Sequence, residues 1–240
     1  MKNKTLTKGF VACVICLMML GQTVSVFPTE PTMDFNGNRY TRAEFLERYG
    51  NFNMFLDEKL VTAEQIFDLF AVTLLDEYRL TEEEVAEWIY SFNYNGGISE
   101  VEMQLLYYTN LERVRAGVPP LQLCPTLSMA ARFKAEEMVQ FRYFDHESPV
   151  YGCPSNISRE LFGIDDFRSE NLTRRLSRSN TAYDLIHSWR SSPGHWANML
   201  DPEHRYIGVG IVENIMGMGV NYDGTPIADR YASLGVQKFR

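Results

Sequence analysis

Four copies of one helix-start signal constrain the first half of the chain more than any other feature. Each has Thr or Ser followed three residues later by Glu or Gln, with apolar residues on both sides; they begin at Thr41, Thr62, Thr81 and Ser99. In such a capping box the hydroxyl accepts a hydrogen bond from the third amide, and the third side chain bonds the cap amide in return. The short spacing between starts predicts short helices with short connections. We therefore predict a small all-α helical module over residues 36–98, which packs on the domain that follows because so short a segment forms a marginal core alone.

The first 25 residues have the order of a secretory signal peptide. Three lysines precede an apolar run over residues 10–20, and small or polar residues continue to Ser25. We predict a signal peptide over residues 1–25 and a secreted protein; the alternative is an uncleaved membrane anchor, because the apolar stretch nearly reaches spanning length. Residues 26–35 contain two prolines and few apolar groups. They predict a flexible lead-in, and residues 99–240 are left as the main domain.

The charge of the chain excludes two classes of partner. The formal net charge is −8 at pH 7, and removal of the leader would take away three lysines and no acid. Nucleic acid requires a basic face, and an anionic membrane surface requires a polybasic patch. We expect neither partner.

The four cysteines divide by position. Cys13 and Cys16 lie inside the predicted leader, whereas Cys124 and Cys153 lie in the main domain. An even pair in an exported protein favours one disulfide. Cys124 also stands at a helix start where Ser or Asp would cap better, which supports a second role for it. Two reduced thiols are the alternative.

The main domain begins with helices and ends with strands. Helix signals cover residues 99–117 and 125–141 and resume near residue 179, while residues 206–212 and 231–239 have the branched, alternating pattern of strands. A break at Ser192-Pro193-Gly194 interrupts helical residues and presents His195 beyond it. Helices first and strands late predict an α+β fold.

Several ordered motifs over residues 100–239 are similar to one known family. They are Asn110-x-x-Arg113, Phe144-x-His146-x-Ser148-Pro149, Glu170-Asn171, Trp189-x-x-Ser192-Pro193-Gly194-His195, Asn198-Met199-Leu200 and Ile207-Gly208-Val209-Gly210. This succession resembles the CAP superfamily, which comprises cysteine-rich secretory proteins, antigen five and plant pathogenesis-related proteins. The Trp-x-x-Ser-Pro-Gly-His form is typical of the bacterial SCP-like branch.

The resemblance implies a three-layer α–β–α sandwich around a small antiparallel sheet, with a surface cavity lined by histidines and acids. His146, Glu170 and His195 occupy the matching positions. Animal and plant members carry a second glutamate where this chain has Ser192. Four further residues are expected to give structural support: Asn110, Arg113, Trp189 and Asn198.

Two imidazoles and a carboxylate around one cavity are compatible with three functions. The cavity binds an extracellular ligand or protein partner; or it holds zinc or another divalent metal through His146, His195 and Glu170; or Ser192 or a water acts as the nucleophile of a hydrolase. The resemblance favours secreted interaction modules over enzymes. We predict binding, with a metal-dependent hydrolase, protease-like or esterase-like, as the alternative.

Overall fold

The computed structural model describes residues 31–35, 38–51, 53–56, 59–70, 74–176, 182–216, 219–220, 226–227 and 231–240. The predicted signal peptide and residues 26–30 of the predicted lead-in lie outside these residues. None of the helices in the described ranges has the length and apolar character needed to span a bilayer.

The first part of the chain repeats one unit of a hairpin followed by a helix. The first unit has β1 (Thr32–Phe35), β2 (Asn38–Thr41) and α1 (Arg42–Tyr49); the second has β3 (Asn53–Leu56), β4 (Lys59–Thr62) and α2 (Ala63–Phe70). The prediction of an all-α module is therefore wrong in this part, and residues 32–35 of the predicted lead-in form a strand. Capping boxes locate only the helix starts, and strands of four residues are too short to show a clear alternation.

Both units contribute to one small hydrophobic cluster. Met33 and Tyr40 are cross-strand partners in the first hairpin, and both pack with Phe45 of α1 and with Ile66 and Phe67 of α2. The apolar positions that flank the capping boxes of these two units, Tyr40 with Phe45 and Val61 with Ile66, thus contribute to the cluster, as a hydrophobic staple does.

Residues 74–94 pack on the main domain, as the sequence predicts for the module. They form a 3₁₀ turn (Asp76–Tyr78) and α3 (Glu82–Tyr94). The indole Nε1 of Trp88 donates to Glu136 Oε2 at 2.8 Å, and the amide of Leu80 donates to the Tyr151 hydroxyl at 3.0 Å. Trp88 also packs with Phe133 in a shared cluster.

The main domain contains the remaining elements. They are α4 (Glu100–Arg115), β5 (Gln122–Leu123), α5 (Pro125–Gln140), the helical turn α6 (Pro154–Asn156) with a π turn (Ile157–Leu161), β6 (Ser169–Leu176), α7 (Ala182–Arg190), α8 (Pro193–Leu200), β7 (Tyr206–Met216), β8 (Gly219–Val220), β9 (Pro226–Ile227) and β10 (Tyr231–Phe239). The predicted helix starts at residues 99 and 125 are confirmed, and so is the strand at 231–239. All four capping boxes form with both hydrogen bonds.

The α+β prediction and the three-layer arrangement are confirmed. The central sheet has the order β5-β7-β10-β6, with β6 at one edge. The long strands are antiparallel, but β5 pairs with β7 in parallel over two residues, so the sheet is mixed rather than purely antiparallel. One face packs on α5 through a cluster that includes Leu172 and Val236. The other face packs on α4, α7 and α8 through Trp189 and Ile207.

Two glycines allow α5 to cross β7 at very short range. A Cβ atom at Gly208 would lie 2.2 Å from the Leu127 carbonyl carbon, and one at Gly210 would lie 2.2 Å from the Arg132 amide nitrogen. These contacts are to helix backbone, which cannot rotate away. The alternating glycines of this strand therefore set the distance between helix and sheet.

The predicted disulfide is wrong, because no disulfide joins Cys124 and Cys153 in the described part of the chain. Each is the N-cap residue of a different helix, α5 and α6. A disulfide requires a short Cα separation and converging Cβ directions. An even number of cysteines in the sequence predicts neither the Cα separation nor the Cβ directions.

Candidate functional site

Glu170 is the buried centre of the predicted site. It lies on β6 and faces α5, and one carboxylate oxygen, Oε1, is 2.9 Å from His146 Nδ1. The other oxygen, Oε2, is 2.7 Å from the ammonium nitrogen of Lys238, which comes from the neighbouring strand β10. The side chains of Lys238 and Glu170 are buried, whereas that of His146 is 47% exposed. The carboxylate thus connects a buried cation to an imidazole at the surface.

The charge of Glu170 fixes the hydrogen on His146. Burial would raise the pKa of Glu170, but the ammonium of Lys238, the hydrogen bond from His146 and the ammonium of Lys134 together hold that pKa below its usual value. An ionised carboxylate only accepts hydrogen bonds. His146 therefore donates from Nδ1, and in the neutral ring Nε2 is left as the acceptor.

A second buried network holds the segment that carries His146. Lys134 of α5 donates to the backbone carbonyl of His146 at 2.9 Å and to the Tyr143 hydroxyl at 2.8 Å. That hydroxyl donates to Glu137, whose other oxygen accepts from the Ser148 hydroxyl. The chain on both sides of His146 is thereby fixed to α5.

The buried charges in this region balance. Two cations, Lys134 and Lys238, lie among two carboxylates, Glu137 and Glu170, and all four are buried. Burial lowers the pKa of Lys134 to about 8 and raises the pKa of Glu137. Charges removed from water require such partners, because isolated ones would be far more costly.

His195 approaches from the opposite side of β6. It lies in the first turn of α8 and is half-buried, and its backbone carbonyl accepts from the side-chain amide of Asn171 at 3.0 Å. Burial lowers the pKa of His195, and the nearby charge of His146 lowers it further. The structure therefore joins His146 to Glu170 directly, and His195 lies close enough for the charge of His146 to act on its pKa. We call these three residues the histidine site.

A ladder of buried amides supports His195 from below. Asn171 donates to Gln237 Oε1 at 3.0 Å and accepts from the Asn198 amide at 2.9 Å. Gln237 in turn donates to the Thr109 hydroxyl at 2.8 Å. These hydrogen bonds join α4, β10, β6 and α8, so the position of His195 depends on how these four elements pack together.

Ser192 stands at the N-cap of α8 but makes little use of its hydroxyl. The hydroxyl forms no capping bond, while the backbone carbonyl accepts from the Trp196 amide at 2.9 Å. In the part of the chain that the structure describes, no hydrogen bond joins Ser192 to either imidazole. The arrangement that would activate a serine nucleophile is not formed here.

The residues expected to give structural support have buried or anchoring contacts. Asn110 exchanges two hydrogen bonds with the backbone of Leu121, at 2.7 and 2.9 Å. The guanidinium of Arg113 donates to the carbonyls of Pro119 and Met199 at 2.7 and 2.8 Å. Trp189 is fully buried in the cluster between the sheet and α7. Asn110 and Arg113 thus join loops to helices, and Trp189 fills the core.

Three important residues escaped prediction. Lys134 and Lys238 lie in segments whose sequences predict an ordinary helix and an ordinary strand. The presence of a lysine in the sequence does not show whether its side chain is buried. His204 lies in the turn after α8, where it is buried; its ring stacks on that of Phe239 with the centroids 4.9 Å apart, and its Nδ1 is 3.0 Å from the Asn198 carbonyl oxygen. A lysine in an alternating apolar strand such as residues 231–239 was the available signal for Lys238.

The donor set does not fit a catalytic zinc site. Such a site needs three protein ligands, yet both oxygens of Glu170 are already engaged by Lys238 and His146. Among the described residues no group of three or more His, Cys, Asp or Glu side chains is arranged to hold a metal. The two imidazoles alone would supply two ligands, with Glu170 orienting one of them from the outer shell.

Comparison with known proteins agrees with the fold and the motifs. Residues 106–220 match the model of the family described as "CAP: Cysteine-rich secretory protein family". This match identifies a CAP domain within residues 106–220, and the curated relatives of this part of the chain are bacterial.

Two curated relatives come from Bacillus subtilis (strain 168). The protein YkwD is 38% identical over 118 residues, which cover 49% of this chain and 44% of YkwD. The membrane protein YlbC is 30% identical over 112 residues, or 46% of this chain and 31% of YlbC. The chain thus spans less than half the length of either relative.

Among solved structures, the chain is similar to an extracellular protein containing a SCP domain from Bacillus anthracis str. Ames. The TM-score is 0.45 and the identity 19%, with 89% of this chain and 58% of that chain covered.

Proposed function

We propose that this protein acts outside the cell by binding a ligand or a protein partner in a cleft at the histidine site. The observation that carries this proposal is the double engagement of Glu170 by Lys238 and His146. A buried carboxylate that lies between an ammonium and an imidazole in this way serves as a fixed support for the imidazole. The half-exposed imidazole of His146 is held in one orientation, as a preorganised recognition group requires.

The alternative of a metal-dependent hydrolase has less support. A catalytic metal would lack a third ligand at this site, and Ser192 has no hydrogen bond to a general base among the described residues. The net charge of −8 also favours a protein or small-molecule ligand over nucleic acid.

Site-specific photocross-linking tests the binding proposal on the full chain. A photoreactive residue is introduced at Ser192, beside the histidine site, and in a control protein at Tyr90, which is 70% exposed on α3. After illumination with a bacterial envelope fraction, we expect a discrete adduct from position 192 only, and its loss when His146→Ala is added. Equal labelling from both positions would contradict a specific cleft.

Measurements of hydrolysis and of the effect of zinc on the melting temperature distinguish the binding proposal from the alternative of a metal-dependent hydrolase. We expect the hydrolysis of p-nitrophenyl acetate and casein to be the same for the wild type and the Glu170→Gln variant. Zinc added to chelated protein should leave the melting temperature unchanged, because a bound metal would raise it by mass action. Turnover lost in Glu170→Gln, or a zinc shift lost in His146→Ala, would establish the hydrolase instead.

Export from the cell is part of the same proposal and has its own test. Cleavage after Ser25 predicts that protein recovered from the culture medium begins at residue 26, as N-terminal sequencing would show. Recovery of the intact chain in the membrane fraction would establish the anchor instead.

A further inference from the structure

Arg174 is a partly buried arginine without an anionic partner. It lies on β6, and its guanidinium carbon is 4.8 Å from the centre of the Phe144 ring. In the described ranges its guanidinium makes no ion pair and no hydrogen bond. Two other arginines of the main domain that stack on aromatic rings have carboxylate partners: Arg132 pairs with Glu102 at 2.7 Å, and Arg190 with Glu112 at 3.4 Å.

The surroundings of Arg174 favour a bound anion. Burial lowers the pKa of Arg174, so its charged form is poorly solvated and no carboxylate compensates for this. Stacking on Phe144 holds the planar group by one face. The N–H groups at its edge are then free to donate two parallel hydrogen bonds to a carboxylate or phosphate.

Arg174 belongs to the same side of the sheet as the histidine site. Alternate residues of a strand share a face, so Arg174 lies with Leu172 and Glu170 on the face toward α5. Phe144 is two residues before His146, which bonds Glu170. The negative charge of Glu170 is already matched by Lys238.

Two other acids stand beside this surface. Asp145 and Glu147 flank His146 in the sequence and are exposed; Asp145 accepts a hydrogen bond from the Glu147 amide at 3.0 Å. Neither pairs with Arg174 among the described residues. Solvent screens the charges of these two exposed carboxylates. They weaken the attraction of this surface for an anion, but they do not occupy the guanidinium of Arg174.

We propose that Arg174 is the anion-binding residue of the proposed cleft, and that the ligand carries a carboxylate or phosphate group which the guanidinium grips while His146 contacts the adjoining part. This inference rests on the proposed function, because it names the chemical class of ligand for the same site.

The test uses the full chain and two probes, inorganic phosphate and N-acetylglycine, at constant ionic strength set with chloride. The Nε–H signal of Arg174 in ¹H–¹⁵N spectra is followed during each titration. We expect saturable shifts of this signal with at least one probe, and about tenfold weaker binding in Arg174→Gln, the loss that one charge-assisted hydrogen bond implies. Arg174→Lys, which keeps the charge but not the fork, should fall between the two.

Arg190→Gln is the matched control, because Arg190 also stacks on an aromatic ring but already has a carboxylate partner. It should bind the probe as the wild type does. A response to phosphate alone assigns the ligand as a phosphate ester, and a response to N-acetylglycine alone assigns it as a carboxylate. No saturable shift with either probe, or binding in Arg174→Gln within twofold of the wild type, would overturn the proposal.

Failure here is distinguishable from failure of the proposed function. A cross-linked adduct at position 192 that forms equally well in Arg174→Gln would leave the cleft standing and refute the role of Arg174. Anion binding at Arg174 without any such adduct would refute the cleft as a site for an envelope partner.

Discussion

Replacing Lys238 with methionine should reveal how strongly the histidine site depends on its buried ion pair. Lys238 and Glu170 are 2.7 Å apart and both side chains are almost completely buried. Methionine keeps most of the volume but leaves the Glu170 carboxylate without its principal counter-ion. Removal of one partner of a buried pair costs about 3–5 kcal/mol. Such a loss is a large fraction of the free energy of unfolding of an ordinary domain, which is about 5–15 kcal/mol.

The effect should depend on pH in a direction that the pKa of Glu170 determines. In the wild type this pKa is lowered, so the stabilisation is present above the unfolded value of about 4.5 and is lost only at lower pH. In Lys238→Met the strongest of the charges that lower this pKa is absent, so we expect the pKa of Glu170 to be higher than in the wild type and the folded carboxyl group to take up a proton more readily. The difference between the two proteins should therefore be largest at pH 7 and shrink as the pH falls towards 4.

Urea denaturation followed by tryptophan fluorescence measures this difference. All three tryptophans, Trp88, Trp189 and Trp196, lie in residues 74–240 and report on that part of the chain. The double variant Lys238→Met with Glu170→Gln removes both charges and should recover most of the lost stability. A loss below about 1 kcal/mol at pH 7, or a difference that stays constant down to pH 5, would show that the pair does not support the site.

Three further predictions concern packing, thiols and histidine. Gly210→Ala should destabilise the domain by about 3 kcal/mol or more in urea denaturation, because the new Cβ would lie 2.2 Å from the backbone of α5. The control Gly194→Ala, whose Cβ meets nothing within 4 Å, should be neutral or stabilising. Equal losses of stability in the two variants would refute this packing. Cys124→Ser should leave the melting temperature unchanged or raise it, since serine caps a helix better and no disulfide is broken, and dithiothreitol should have no effect; a clear drop with either would restore the disulfide. Because the folded pKa of His195 is lowered, its contribution to stability is present above about pH 6.5 and is lost as the pH falls. His195→Gln should therefore flatten the acid side of the curve of melting temperature against pH. An unchanged slope would contradict the lowered pKa.

The elements that the sequence predicts well are those set by local chemistry. The capping boxes at Thr41, Thr62, Thr81 and Ser99 depend on hydrogen bonds across three residues, and all of them form. The strand at residues 231–239 has a clear alternation and is found with the predicted bounds. The prediction that His146, Glu170 and His195 share one site comes from ordered motifs rather than from local pattern, and the structure shows the contact between His146 and Glu170.

What the sequence does not show depends on contacts between distant segments. Lys238 reaches Glu170 only because β10 and β6 pair in one register. Lys134 reaches the His146 carbonyl only because α5 packs closely on the sheet, at the glycines of β7. His204 is buried by Phe239, which is 35 residues away in the chain. The disulfide prediction failed for the same reason, since the distance between two cysteines is also a property of the folded chain.

The ring nitrogens of His146 provide the most direct test of how the histidine site is built. Long-range ¹H–¹⁵N spectra of the metal-free full chain at pH 8 distinguish which nitrogen carries the hydrogen. Glu170 held as a carboxylate by Lys238 predicts the Nδ1–H form in the wild type, and a loss of that preference in Glu170→Gln. An Nε2–H ring in the wild type, unchanged in the variant, would contradict the arrangement on which the proposed binding function rests.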